Sequence, residues 1–187
     1  MKIKLLAAMT AALAASASAG QKLDVFVNNG ERIPFATLQS AEGLAARILA
    51  SADVRIAWHG LARPGWKGRN RVIIIQLEMD TPAAYHASAL GYSLLHEGVH
   101  VAIFYNRIRR MDEQSLEPFL LAHAIAHEIT HLLQGIARHS ATGVMKAHWD
   151  SGDFVEMRRH LLTFTPEDIQ IIQNKENRPV TIAAKIP

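Results

Sequence analysis

The sequence predicts an α+β fold, in which a small mixed or antiparallel sheet packs on one long buried helix and shorter helices follow. Three observations carry this. Strand-like stretches surround a single amphipathic helix in the first half. The run from Leu116 to Gln134 is apolar almost all the way round, and such a helix has to be covered on every side. Two short helical patterns come after it, with no second set of strands.

Leu23 to Val27 alternates apolar and polar residues and runs into Asn28-Asn29-Gly30, a strand ending in a turn. In Ala36 to Ala50, the residues Leu38, Ala41, Leu44, Ala45, Ile48 and Leu49 recur at helical spacing and predict a helix lying on the sheet. Val54 to Trp58 reads as a short strand. Arg63-Pro64-Gly65 and Gly68 mark a loop, and the β-branched run Val72 to Leu77 reads as the next strand. Thr81-Pro82 opens a stretch without pattern, and Val99 to Tyr105 resumes as a strand, with Arg107, Arg109 and Arg110 as its solvated end. The long helix from Leu116 stops at Gly135. Two shorter helices are expected near Asp153 to Leu162 and Pro166 to Asn174. The second has a cap at Thr165, a proline in its first turn, and Glu167 and Asp168 facing the positive end of the helix dipole. From Asn177 the tail is expected to be loose.

With 187 residues, 49% of them apolar and 20% charged, the chain suits a soluble domain with a sizeable core. That domain is expected to span residues 20–187, because residues 1–19 read as a signal peptide. Lys2 and Lys4 form a positive start, Leu5 to Ala15 an apolar stretch too short to span a bilayer, and Ala17-Ser18-Ala19 a cleavage-like end. Export to the periplasm or the medium follows, with no stable membrane insertion afterwards. Losing Lys2 and Lys4 takes the net charge of +3 close to neutral, which argues against nucleic acid as a partner. Cysteine is absent, so a metal site would have to be built from histidine and carboxylate.

His127-Glu128-Ile129-Thr130-His131 matches H-E-x-x-H inside the long helix. Residues four apart on a helix share a face, so two imidazoles can converge on one ion, while the glutamate points to the flank, within reach of a water on that ion. Zinc accepts neutral imidazole and lowers the pKa of its water towards 7, the chemistry of a hydrolase with Glu128 as general base. The same pattern occurs at His96-Glu97-Gly98-Val99-His100. Gly98 and the β-branched and aromatic residues after it favour strand over helix there, which spreads the two histidines apart, and that copy reads as coincidence. His123, four before His127, reads as a core histidine, since one ion cannot take both it and His131, about 12 Å apart along the axis.

A third ligand would leave zinc one open position. Gly135 allows a left-handed helix end, from which the chain can fold back and bring His139 to the metal. Glu156 is the competitor, and Asp150 and His148 are weaker ones. Ser140 to Met145 follows as a tight polar turn. The segment from His127 to Met145 resembles a metzincin metallopeptidase, with its zinc-binding helix, glycine break, third histidine and methionine turn.

That resemblance implies His127, His131 and His139 as zinc ligands, Glu128 as base, Met145 beneath the metal, and a peptide or protein substrate laid along an edge strand, here Val99 to Tyr105. The chain departs from the family in spacing: its glycine comes four residues and its third histidine eight residues after His131, where the family has three and six. Ala137 and Ala147 stand at the family's ligand and tyrosine positions. Arg138, His148 and the region of Tyr105 are candidates for stabilising an oxyanion. Two rival readings remain: a periplasmic metal-binding or partner-binding module without turnover, and a core helix whose histidines satisfy one another. Metal content separates the last from the others, and loss of Glu128 separates the first two.

Overall fold

The strands order themselves as their composition requires, the near-continuously apolar ones lying parallel in the middle of the sheet. A computed structural model describes residues 20–29, 33–61, 66, 68–111 and 115–176. In chain order the elements are β1 (Gln21–Asn28), α1 (Phe35–Ala50), β2 (Val54–His59), β3 (Arg71–Glu78), β4 (Gly91–Ser93), β5 (His100–Phe104), α2 (Tyr105–Arg110), α3 (Glu117–Gln134), α4 (Ser151–Arg159) and α5 (Pro166–Glu176). The sheet runs β2-β1-β3-β5-β4, with β4 alone antiparallel to its neighbour. This is the mixed sheet the sequence predicts. The expected signal peptide and the tail from Asn177 lie outside the described residues.

Period-two alternation sends Leu23, Val25 and Val27 of β1 and Ile73, Ile75 and Leu77 of β3 to one face, where they join the core with α1 and α3. Helix α3 is buried without a break from Leu120 to Gln134, as its all-round apolar surface demands. Its C-terminal end is tied to the sheet by Arg71, whose Nη2 donates to the carbonyl of Leu132 at 2.9 Å and to that of Gly98 at 3.1 Å. A cation at that end also opposes the negative pole of the helix dipole. No helix among the described residues is long and apolar enough to cross a membrane.

Two expectations need correcting. The strand at Val99 to Tyr105 is not an edge: β5 is flanked by β3 and β4, and the edge on that side of the sheet is β4, inside the unpatterned stretch. Arg107, Arg109 and Arg110 do not extend that strand, because the chain turns into α2 at Tyr105. There Arg107 donates to the carbonyl of Ala89 at 2.6 Å and stacks its guanidinium 5.1 Å from the Phe104 ring, bracing the approach to β4. Helix α4 also starts earlier than expected, because Asp150 caps it, accepting from the backbone N–H of Gly152 and Asp153, while Asp153 reaches back to the N–H of Asp150. That capping role accounts for Asp150.

Candidate metal centre

Helical spacing on α3 brings the rings of His127 and His131 to a centroid separation of 4.7 Å. Each ring is held from behind. His127 Nδ1 lies 2.8 Å from the carbonyl oxygen of Val144, and His131 Nδ1 lies 3.1 Å from that of Ile136. A carbonyl oxygen only accepts, so each Nδ1 carries the proton and each Nε2 keeps its lone pair. The two Nε2 atoms stand 3.0 Å apart. Two acceptors at that distance need something positive between them. Nitrogens about 2.0–2.1 Å from a shared tetrahedral ion stand about 3.3 Å apart, so the donor set fits a divalent cation.

Burial favours the neutral form of these rings. It pulls His127 down to about 3, helped by the neighbouring His131, and it lowers His131 and His139 as well. Neutral imidazole is the form that binds metal.

Gly135 ends α3 in the left-handed region, at φ 68°, and its N–H bonds the carbonyl of His131 at 2.7 Å. The chain then returns over the helix and delivers His139, whose ring lies 5.2 Å from that of His127 and 5.0 Å from that of His131. One ligand atom from each of the three histidines falls within 4.8 Å of the others, and among the described residues no other such group forms. Glu156 stands exposed on α4, beside a different cavity.

The return loop is fastened at its far end. Asp168, fully buried at the start of α5, accepts from Ser140 Oγ at 2.7 Å and Arg138 Nη1 at 2.8 Å. It also accepts from Thr165 Oγ1 at 2.7 Å. Burial pushes its carboxyl up, and these donors outweigh that and leave it below the ordinary range. Met145 is fully buried behind the loop, and Ser140 N–H donates to its carbonyl at 2.8 Å. Gly143 is required twice over: φ is 77°, and a Cβ there would stand 2.2 Å from the carbonyl oxygen of Thr163.

Glu128 is 7% exposed and lines the same cleft as the three histidines, a space of about 490 Å³. Burial pushes its carboxyl up to about 7, with the Ser93 hydroxyl pulling the other way. One wall of the cleft is β4 and the other is the segment around His148 and Trp149. Ser88 Oγ and His148 Nδ1, from opposite walls, meet at 2.9 Å. Of the oxyanion candidates, His148 faces the cleft. Arg138 is committed to Glu167 and Asp168, and Tyr105 is buried against Glu117. His123 is a satisfied core histidine. Its Nδ1 donates to the carbonyl of Phe119 at 2.7 Å, its Nε2 accepts from the N–H of Leu162 at 3.1 Å, and burial lowers its pKa to about 4.

The residues that sequence reasoning missed are those of β4, Gly91 and Ser93 above all. A three-residue strand has too few positions to show a period.

No protein-family model matches this chain, and no curated protein matches it. Solved structures do. An archaemetzincin from Methanopyrus kandleri superposes with a TM-score of 0.56 at 17% identity, covering 88% of this chain and 99% of its own. A zinc-dependent peptidase from Methanocorpusculum labreanum gives 0.58 at 12% identity, over 80% of this chain and 99% of its own. At these identities the likeness is one of architecture, and the architecture this chain shares is that of an archaemetzincin.

Proposed function

We propose that this protein is an exported zinc-dependent hydrolase that cleaves peptide bonds, with His127, His131 and His139 as the metal ligands and Glu128 as general base. One observation carries the reading. Two neutral imidazoles present Nε2 lone pairs to each other at 3.0 Å, with a third histidine closing the group. Such a cluster needs a cation, and an all-histidine set of three leaves tetrahedral zinc one position for water. The likeness to structures described as an archaemetzincin and a zinc-dependent peptidase supports the same assignment.

Zinc in this cage would polarise a carbonyl oxygen and lower the pKa of its water towards 7. The chain's own groups do the rest. Glu128 takes the proton of the attacking water and delivers it to the leaving nitrogen. The unpaired edge of β4 offers backbone N–H and C=O groups to an extended peptide. His148, on the opposite wall, is placed to donate to a developing oxyanion. The peptide-like substrate, the reading of residues 20–187 as one peptidase domain and the absence of a nucleic-acid partner complete the proposal. Export rests on residues 1–19 acting as a signal peptide.

The test is zinc quantification and peptide hydrolysis on the purified protein and on Glu128→Gln. The variant is expected to keep its zinc and lose about 10²- to 10⁴-fold in rate, the usual contribution of a general base. A variant that hydrolyses as fast as the parent removes Glu128 from its role. A zinc-bound parent that turns over no peptide is a metal-binding module instead.

A further inference from the structure

The edge strand β4 touches Glu128 at two places. Its side chains alternate across the sheet, so Tyr92 turns to the face of Phe104 while Gly91 and Ser93 face α3. At Gly91 there is no room for a side chain: a Cβ would lie 2.7 Å from the carbonyl oxygen of Ala102 and 3.0 Å from Cγ of Glu128. At Ser93 the hydroxyl lies 2.6 Å from Oε2 of Glu128 and 2.7 Å from the backbone carbonyl oxygen of the same residue. A hydroxyl has one proton, and here it is shared between two oxygens of one glutamate in a three-centre bond.

Such a contact fixes a side chain. Glutamate is long and has many rotamers, and a group bonded at once to its carboxylate and to its backbone restricts all of its torsions together. Ser93 engages Oε2, so Oε1 is the oxygen left to meet a water in the cleft. A general base works only within about 2.6–3.2 Å of the proton it takes, and a misplacement of about 1 Å is enough to lose much of the rate.

We infer that Ser93 is a positioning residue for the reaction, holding the Glu128 carboxylate by its Oε2 so that Oε1 faces the attacking water. This rests on the reading of Glu128 as the base. Ser93 touches none of the three histidines' ligand nitrogens in the contacts above, so its removal should leave the metal in place. Gly91 keeps the space that the held side chain occupies.

The experiment uses the zinc-loaded full chain and compares the parent with Ser93→Ala and Ser93→Thr. Threonine keeps a hydroxyl and suits a strand. Ser93→Ala is expected to bind one zinc as the parent does and to stay folded, with a melting temperature lower by several degrees, since a buried carboxylate loses one donor. Its kcat should fall about tenfold with KM unchanged, and Ser93→Thr should recover most of that loss. Crystal structures of the parent and of Ser93→Ala should show Glu128 in one rotamer in the first and displaced or divided in the second. A Ser93→Ala kcat within twofold of the parent overturns the inference. So does a loss that falls on KM and that threonine does not restore, since that is a structural defect. Should the zinc-loaded parent hydrolyse nothing, the hydrolase reading fails, and the crystal comparison still decides the matter: an unmoved Glu128 in Ser93→Ala shows that Ser93 does not hold it.

Discussion

The pattern H-E-x-x-H occurs at residues 127–131 and again at 96–100, and the two copies differ in everything but their letters. In the first, the backbone is an uninterrupted helix, both rings are buried, and their Nε2 atoms converge to 3.0 Å. In the second, the backbone is a turn with Gly98 at φ 70°, and the side chains of His96 and His100 are 76% and 50% exposed. There the glutamate is taken by its own histidines: Glu97 lies 3.5 Å from His96 Nε2 and pairs with His100 Nδ1. In the first copy the glutamate is held by Ser93 of strand β4. The same five letters therefore bring two neutral imidazoles together only where a helix sets their spacing and burial disfavours their charged form.

Substitution sharpens the contrast most strongly at the proposed ligands. His131→Ala and His139→Ala should each weaken zinc binding by more than the about 10- to 100-fold that losing an outer hydrogen-bond partner costs. His100→Ala and Glu156→Ala should bind zinc as the parent does. Titration with a chelating dye measures all four. Zinc retained at full affinity in His139→Ala would remove the third ligand from the proposal.

Acid comes next. His123, on the same helix, is neutral and buried with its pKa lowered from 6.5 to about 4, so protonation favours the unfolded chain. Its contribution is complete above about pH 6.5 and is lost as the pH falls towards 4, a change of about 3 kcal/mol from this one group. Urea unfolding of the chelated protein at several pH values should show this decline. A stability that stays level from pH 7 to 4 would contradict a neutral, buried His123.

The smallest effect comes from two glycines, one just after the first copy and one inside the second. Gly135→Ala and Gly98→Ala each force a side chain into the left-handed region and should each cost about 1 kcal/mol of stability. Only the first should weaken zinc binding, because Gly135 launches the loop that carries His139 while Gly98 leads into β5. Equal effects on zinc binding would show that the two glycines are not distinguished in this way.

Much of this was legible in the chain itself. The helix from Leu116 to Gln134 could be read because fifteen consecutive buried positions need an apolar residue or a residue with a partner, and the sequence shows both. The return of His139 could be read from Gly135, whose left-handed φ is the physical cause of the reversal. Two other features could not. The strand β4 is three residues long and gets its place from pairing with β5, through the registers Gly91↔Ile103 and Ser93↔Val101. The helix at Tyr105 begins in a run of strand-forming residues, and the contacts of Tyr105 with Glu117 and of Arg107 with Ala89 outweigh local propensity. Non-local pairing of this kind leaves no period to detect, and the two β4 residues beside Glu128 were missed for the same reason.

The fastening of Ser140 and Arg138 to Asp168 has a consequence for the order of assembly. A polypeptide that has been synthesised through Gln134 already contains His127 and His131, but nothing yet holds the following segment against them. Part of that hold is local, from His127 and His131 to the carbonyls of Val144 and Ile136, and part arrives with residues 165–168, some thirty positions later, where Asp168 takes Ser140 and Arg138. A product truncated ahead of Thr165 would keep the two helix histidines and lack the Asp168 fastening of the loop that carries His139.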